Sequence, residues 1–345
     1  MKHIGWLSLI ILLLLAACTS SDITSDEQNA VTKLRTDKDK VYVGFALDTL
    51  KEDRWYRDKE YVESKVKELG GNIKTLAANG NQEVQIEQVK LLINEGIDVL
   101  IIVPSNSEAS SEAVELAHDA GVKVIAYDKL ILGTELDYYV SFDNEKVGEL
   151  QAQIVLDKVN NGNFAYVGGA ETDNNALLVR NGAMKVLQPL IDKGDIDLVY
   201  DKYTDNWSKD IAEEQLSEFL NSNNIQLDGI VTGYDGLAEG AVNVLGDQAE
   251  DIPISGQDAE LNAIKRILEG TQAGTVYKPI EDLADQAANL AMDVANGTEI
   301  TTDGTVNNQK IDVPSILLEP IRVNKDNINE TIIESGHFTE EEIYE

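Results

Sequence analysis

Eleven side chains have the types and spacing to hold one small polar ligand: Arg54 and Trp55, Asp128 and Lys129, Asp173 and Asn175, Trp207, Tyr234 and Asp235, Asp258, and Lys278. Together they supply charged hydrogen-bond partners and flat rings. A neutral polyhydroxylated ring needs both, because each hydroxyl donates and accepts while its C–H faces are apolar. A buried hydroxyl left unpaired costs about 1–3 kcal/mol, so the partners must be matched in number. Charged partners strengthen each bond. Of the three tryptophans, Trp6 lies in the leader, and Trp55 and Trp207 each follow a strand-like run. Taken singly, each residue has a plainer reading: a lone Trp plugs a crevice, and Asp173 or Asn174 caps a helix beginning near Asn175. Their convergence is what points to a site.

The elements that would position them alternate β-branched runs with helix-length segments, the pattern of parallel βαβ units. Val41–Leu47, Asn72–Leu76, Val99–Val103 and Val122–Tyr127 read as strands of one series. Phe164–Val167, Ile196–Val199, Gly229–Thr232, Ile252–Ser255 and Gly274–Tyr277 read as a second series. Two similar series imply two similar lobes. Open parallel sheets bind ligands beyond the carboxyl ends of their strands, where the polar and aromatic residues above fall. Ile311–Val313 and Ile316–Leu318, interrupted by Pro314 and followed by Pro320, read as a connection between lobes rather than a central strand.

Lys2, the apolar run Ile4 to Leu15 and Leu15-Ala16-Ala17-Cys18 form a short leader ending in a lipobox. That run is too short to span a bilayer comfortably. Residues 1–17 are expected to be a lipoprotein signal peptide. Residues 18–40 are expected to be a lipidated Cys18 followed by a polar tether, which would anchor the protein outside the cell. Cys18 is the only cysteine, so the folded part has no disulfide and no thiolate ligand or nucleophile. The remaining 305 or so residues exceed what one core usually holds. With 62 acidic against 28 basic residues, the chain is expected to repel nucleic acid. The excess is spread along the sequence and reads as a solvated surface.

Several stretches resemble the type I periplasmic sugar-binding proteins, and among them the D-xylose-binding members most. They are Asp53-Arg54-Trp55, Ala78-Asn79-Gly80-Asn81, the run from Ser141 to Ala152, Asp173-Asn174-Asn175-Ala176, Ser255-Gly256-Gln257-Asp258-Ala259, and Gly270-Thr271-Gln272 with Val276 to Ile280. The likeness covers nearly all of 41–345. It implies an α/β fold of two Rossmann-like lobes with parallel sheets, joined by a three-segment hinge: the type I periplasmic-binding-protein fold. The crossings would lie near Ser141-Phe142-Asp143, near Lys278-Pro279, and between Pro314 and Pro320. The lobes would be 41–142 plus 280–316 and 143–279 plus 317–345. The resemblance also implies that Arg54, Asp128, Asn175, Asp258 and Lys278 bond the hydroxyls of a monosaccharide, D-xylose, while Trp55 and Trp207 stack on its faces. Two positions depart from the pattern: Lys129 replaces an arginine and Tyr234 an asparagine. Lysine lacks the bidentate guanidinium fork, and a tyrosine exchanges an amide for a ring.

The implied function is capture of that sugar for an ABC transporter permease. The alternative is a sensor presenting the same closed form to a membrane histidine kinase. A DNA-binding repressor on this fold is excluded by the lipobox and the missing basic helix-turn-helix start. Carboxylates such as Asp128 and Asp258 would suit acid–base work on a glycoside. An acidic chain has such pairs anyway, and no zincin helix, phosphate-cradling loop or Gly-x-Ser-x-Gly elbow is present. A non-catalytic receptor with no cofactor and no metal is therefore expected. His3 lies in the leader, and His118 and His337 read as solvent-facing.

Overall fold

The computed structural model describes residues 39–345; the leader, Cys18 and nearly all of the tether lie outside the described residues. The first lobe is built from β1 (Tyr42–Leu47), α1 (Asp53–Glu68), β2 (Asn72–Ala77), α2 (Gln82–Glu95), β3 (Val99–Ile102), α3 (Ser111–Asp119), β4 (Lys123–Tyr127) and β5 (Tyr138–Phe142). The second holds α4 (Asn144–Leu156), β6 (Gly162–Val167), α5 (Asn174–Lys193), β7 (Ile196–Lys202), α6 (Lys209–Asn223), β8 (Gly229–Thr232), α7 (Asp235–Leu245), β9 (Ile254–Ser255), α8 (Leu261–Glu269) and β10 (Thr275–Tyr277). The chain then returns to the first lobe for α9 (Ile280–Asn296), β11 (Gly304–Asn307) and β12 (Asp312–Leu318). It ends in the second with β13 (Ile321–Val323) and α10 (Glu340–Tyr344).

The first sheet runs β11-β12-β5-β4-β3-β1-β2 and is parallel except for β11. The second runs β7-β6-β8-β9 in parallel, bridges from Ser255 to Gly274, and is extended by the antiparallel pair β10-β13. Both are covered on two faces, which is why their central strands, such as β3 and β8, are buried throughout. The two-residue period of a strand sorts them: Val43, Phe45, Leu47, Val99 and Ile101 pack toward α1 and α9, while Ala46, Leu100 and Ile102 pack toward α2 and α3. Local signals mark the helix ends. Asn81 caps α2 by accepting from Val84 N at 2.9 Å, and Gly96, at φ 87°, ends it in the left-handed conformation that favours glycine.

The chain passes between lobes three times: after β5, after β10 and after β12. The third passage corrects one expectation. The segment around Pro314 is a strand, β12, paired on both sides, rather than a connection. Pro314 stands opposite Thr305 of the edge strand β11, and the ladder to β5 begins only at Ser315, so the proline lies outside the parallel ladder. β12 continues to Leu318, two residues past 316.

The α4–α5 pair begins just past the first passage. A Cβ on Gly148 would lie 1.8 Å from Val179 O, and one on Gly182 1.8 Å from Glu145 O. The two helices therefore touch backbone to backbone, and no side chain fits at either glycine.

Candidate binding site

In both sheets the strand order reverses beside the first strand of the series, between β1 and β3 and between β6 and β8, and the loops beyond those ends face one cavity. It encloses about 100 Å³. Ten of the eleven residues named from the sequence line it: Arg54, Trp55, Asp128, Lys129, Asp173, Asn175, Trp207, Tyr234, Asp258 and Lys278.

Asp235 does not. Although it follows a strand, its carboxylate turns into the second lobe, accepting from Gln272 Nε2 at 2.8 Å, Thr275 Oγ1 at 3.0 Å and Glu260 N at 2.9 Å. Its partners lie up to 40 residues away in sequence. The histidines also differ in part from expectation. His118 bonds Asp137 at 2.6 Å with its ring a third exposed. His337 packs its ring against Tyr277 and Phe338, 4.6 and 4.4 Å between centroids, instead of facing solvent.

Arg54, in the first turn of α1, is the centre of the charge pattern. Its Nη2 donates to Asp128 Oδ1 at 2.9 Å, Nη1 to Asp258 Oδ1 at 3.2 Å and Nε to Asp58 Oδ2 at 3.3 Å. Lys278 sits 3.0 Å from Asp258 Oδ1 and 3.8 Å from Asp128 Oδ1. Lys129 lies 3.1 Å from both Asp48 and Asp173. Asn175 Nδ2 donates to Asp128 Oδ2 at 3.2 Å. Burial pushes the Asp128 carboxyl up, but Arg54, Lys278 and Lys129 outweigh it and hold the group below its ordinary range. Burial likewise opposes the charge on Arg54, yet Asp128, Asp58 and Asp258 raise its pKa well above the ordinary value.

The aromatic walls are fixed as firmly. Trp55 is 5% exposed and carries the Arg54 guanidinium 4.3 Å over its ring. Trp207 donates Nε1–H to Asp173 Oδ2 at 3.2 Å, meets Tyr234 edge-on at 6.0 Å, and lies over Gly169, where a Cβ would fall 2.2 Å from the indole. Asp173 therefore does two jobs, since its other oxygen caps α5 by accepting from Asn175 N at 2.9 Å. Asp128, Asp258 and Trp207 adopt left-handed backbone, at φ 62°, 87° and 54°. Such strain persists where surrounding contacts over-determine it and gathers at functional sites.

Asp48, Glu52 and Gln257 also line the cavity and were not singled out as site residues from the sequence. Each carries a buried oxygen without a hydrogen-bond partner, as does Asn175: Asp48 Oδ1, Glu52 Oε2, Gln257 Oε1 and Asn175 Oδ1. Their signal was position, since Asp48 follows β1 directly and Gln257 follows β9. The buried cations Arg54, Lys129 and Lys278 are already paired with carboxylates, so the inner part of the cavity presents unfilled acceptors. That suits a neutral molecule rich in hydroxyl protons and disfavours an anion. Among the described residues no group of His, Cys, Asp and Glu is arranged to hold a metal ion.

Comparison with known proteins gives a consistent picture. Residues 43–299 match the periplasmic binding protein domain family. The D-xylose-binding periplasmic protein of Escherichia coli is 44% identical over 333 residues, covering 96% of this chain and 98% of that protein. Its Haemophilus influenzae namesake is 44% identical, covering 88% and 92%. Among solved structures, a carbohydrate transporter solute-binding protein from Chloroflexus aurantiacus in complex with D-glucose is 32% identical with a TM-score of 0.81, covering 88% and 98%. An ABC transporter solute-binding protein from Clostridium phytofermentans with bound β-D-glucose is 27% identical with a TM-score of 0.82, covering 88% and 99%.

Proposed function

Because the chain belongs to the periplasmic binding protein domain family, we propose that it captures one molecule of D-xylose between its lobes outside the cell and delivers it to an ABC transporter permease. It is a binding protein, not an enzyme. The observation that carries the reading is the set of four buried, unpartnered acceptor oxygens around a cavity whose buried cations, Arg54, Lys129 and Lys278, are already paired. A monosaccharide brings hydroxyl protons to those oxygens, and its ring faces meet Trp55 and Trp207. Arg54, Asp128, Asn175, Asp258 and Lys278 bond the hydroxyls, with Lys129 and Tyr234 bounding the same space. In this reading Cys18 carries a lipid that tethers the mature protein to the membrane surface, and the acidic body stays in solution above it.

Titration calorimetry tests the reading: one D-xylose should bind per chain and be recovered unchanged. Trp55→Ala and Asp258→Ala should each weaken binding by about 1.5–3 kcal/mol, the first by removing a ring face and the second by leaving Arg54 and Lys278 short of a partner. Wild-type affinity in either variant removes that residue from the site, and a wild-type protein that ignores D-xylose refutes the assignment. For the anchor, Cys18→Ser should release the protein or leave its leader uncut. A processed form kept at the membrane would sink the lipid.

A further inference from the structure

A second, larger groove of about 700 Å³ adjoins the cavity. Five residues line both: Lys51, Glu52, Asn206, Trp207 and Tyr234. The two spaces therefore meet at shared side chains. Both lobes contribute walls, the first through Lys51, Glu52 and Asp53 and the second through the starts of α6, α7 and α8.

We propose that the groove is a second sugar subsite, so that the ligands of this protein include short pentose oligosaccharides with one terminal ring in the cavity and the next in the groove. This rests on the monosaccharide reading above.

Three observations carry it. Trp207, half-buried, borders both spaces, and its indole is held in place by Gly169, Tyr234 and Asp173, so a rigid aromatic group stands where two adjoining rings would be linked. Glu52 stands at the junction with Oε2 buried and unpartnered, where it would accept from a hydroxyl beside the linkage. The groove is also chemically suited to neutral carbohydrate. Ser208, Lys209, Asp210 and Asn262 supply short-range donors and acceptors. Lys209 is paired with Glu239 at 2.7 Å. Asp53 and Asp210 stand at the starts of α1 and α6, where they neutralise the partial positive charge of those helix ends. A phosphorylated or acidic sugar would meet carboxylates there, whereas a xylose unit would meet hydrogen-bond partners.

Calorimetry with D-xylose, xylobiose and xylotriose decides the matter. Xylobiose should bind the wild-type protein within about tenfold of D-xylose. Asn262→Trp fills the groove from an exposed position outside the cavity. It should lower the affinity for xylobiose by about tenfold or more while leaving that for D-xylose within about twofold. If D-xylose binds but xylobiose neither binds nor competes, or if Asn262→Trp leaves xylobiose untouched, the subsite is refuted and the monosaccharide reading stands. If D-xylose itself fails to bind, the monosaccharide reading falls and the subsite with it.

Discussion

Asp58 grips Arg54 from inside the first lobe. Its Oδ2 accepts from Nε at 3.3 Å, its Oδ1 lies 3.4 Å from Nη2, and the Tyr127 hydroxyl donates to the same Oδ1 at 2.5 Å. Asp58 and Tyr127 are fully buried, and neither lines the cavity. Burial outweighs the Arg54 charge and pushes the Asp58 carboxyl above its ordinary range. Asp58 is thus a positioning residue that aims the guanidinium at Asp128 and Asp258. Asp58→Asn keeps the volume but removes the charge, and should weaken D-xylose binding by about 1–3 kcal/mol. Tyr127→Phe should reproduce part of that loss. Calorimetry on both variants checks this, with a urea titration to confirm folding; unchanged affinity in Asp58→Asn would show that Arg54 needs no support.

Gly169 is the floor on which Trp207 rests. An alanine there would place its Cβ 2.2–2.3 Å from three indole carbons, and Gly169 is outside the left-handed region that favours glycine, so it is the ring that stands in the way. Gly169→Ala should therefore lower D-xylose affinity by about tenfold or more and shrink the change in tryptophan fluorescence on binding. A variant with wild-type titration and fluorescence would show that the indole position is unimportant.

Lys129 and Tyr234 should set which sugar is accepted. Lys129 is held between Asp48 and Asp173, and its pKa is raised because those two charges overcome the effect of burial. The Tyr234 hydroxyl occupies the space a Cβ on Gly236 would need, 2.1 Å away, so the ring lies across the start of α7 only because residue 236 is glycine. Titrating xylose, arabinose, ribose, glucose and galactose against wild type and against Lys129→Arg with Tyr234→Asn should give different rankings, with hexoses gaining when the ring is removed. Identical rankings would assign selectivity elsewhere.

Stability should fall as the medium becomes more alkaline between about pH 6.5 and pH 8. Burial, reinforced by Asp235 and Asp258 and opposed by Arg266, raises the Glu260 carboxyl from 4.5 to about 8. Burial also raises Asp235 to about 7. A carboxyl with a raised folded pKa contributes stability below its unfolded pKa that is lost as pH climbs through the folded value. His337 works the other way: burial, then Arg57, lower it from 6.5 to about 4, so its contribution is complete above 6.5 and lost only on acidification. The two effects do not compete in the chosen window. Thermal melts across it should show the decline in wild type and a flatter profile in Glu260→Gln. Parallel profiles in the two proteins would rule Glu260 out as the source.

Much of this was legible in the chain. Val99–Ile102 and Gly229–Thr232 are short runs without a charged residue because both their faces are covered, and that separates buried parallel strands from the amphipathic helices between them. The cavity lining was legible for a topological reason: residues that follow parallel strands share one edge of the sheet. The failures have physical causes too. Pro314 reads as a break because sequence does not show where along a strand each ladder begins. Asp235 looks like Asp258, yet its partners Gln272 and Thr275 come from the next βα unit, a contact only the packed lobe creates. Asp58 was visible merely as a residue four places after Arg54, the helical spacing of a common surface pair; burial turns that spacing into a clamp.

The glycine contact between α4 and α5 has a mechanical consequence. α4 starts at Asn144, immediately after the first passage between the lobes, and α5 starts at Asn174, with Asp173 and Asn175 in the cavity wall. With Gly148 and Gly182 bringing the two backbones together, no layer of side chains lies between them there to flex and absorb motion. A twist applied at Asp143 is therefore transmitted with little slack, as through a keyed shaft, and Asp173, Asn175 and the indole bonded to Asp173 swing as the far end of one stiff arm.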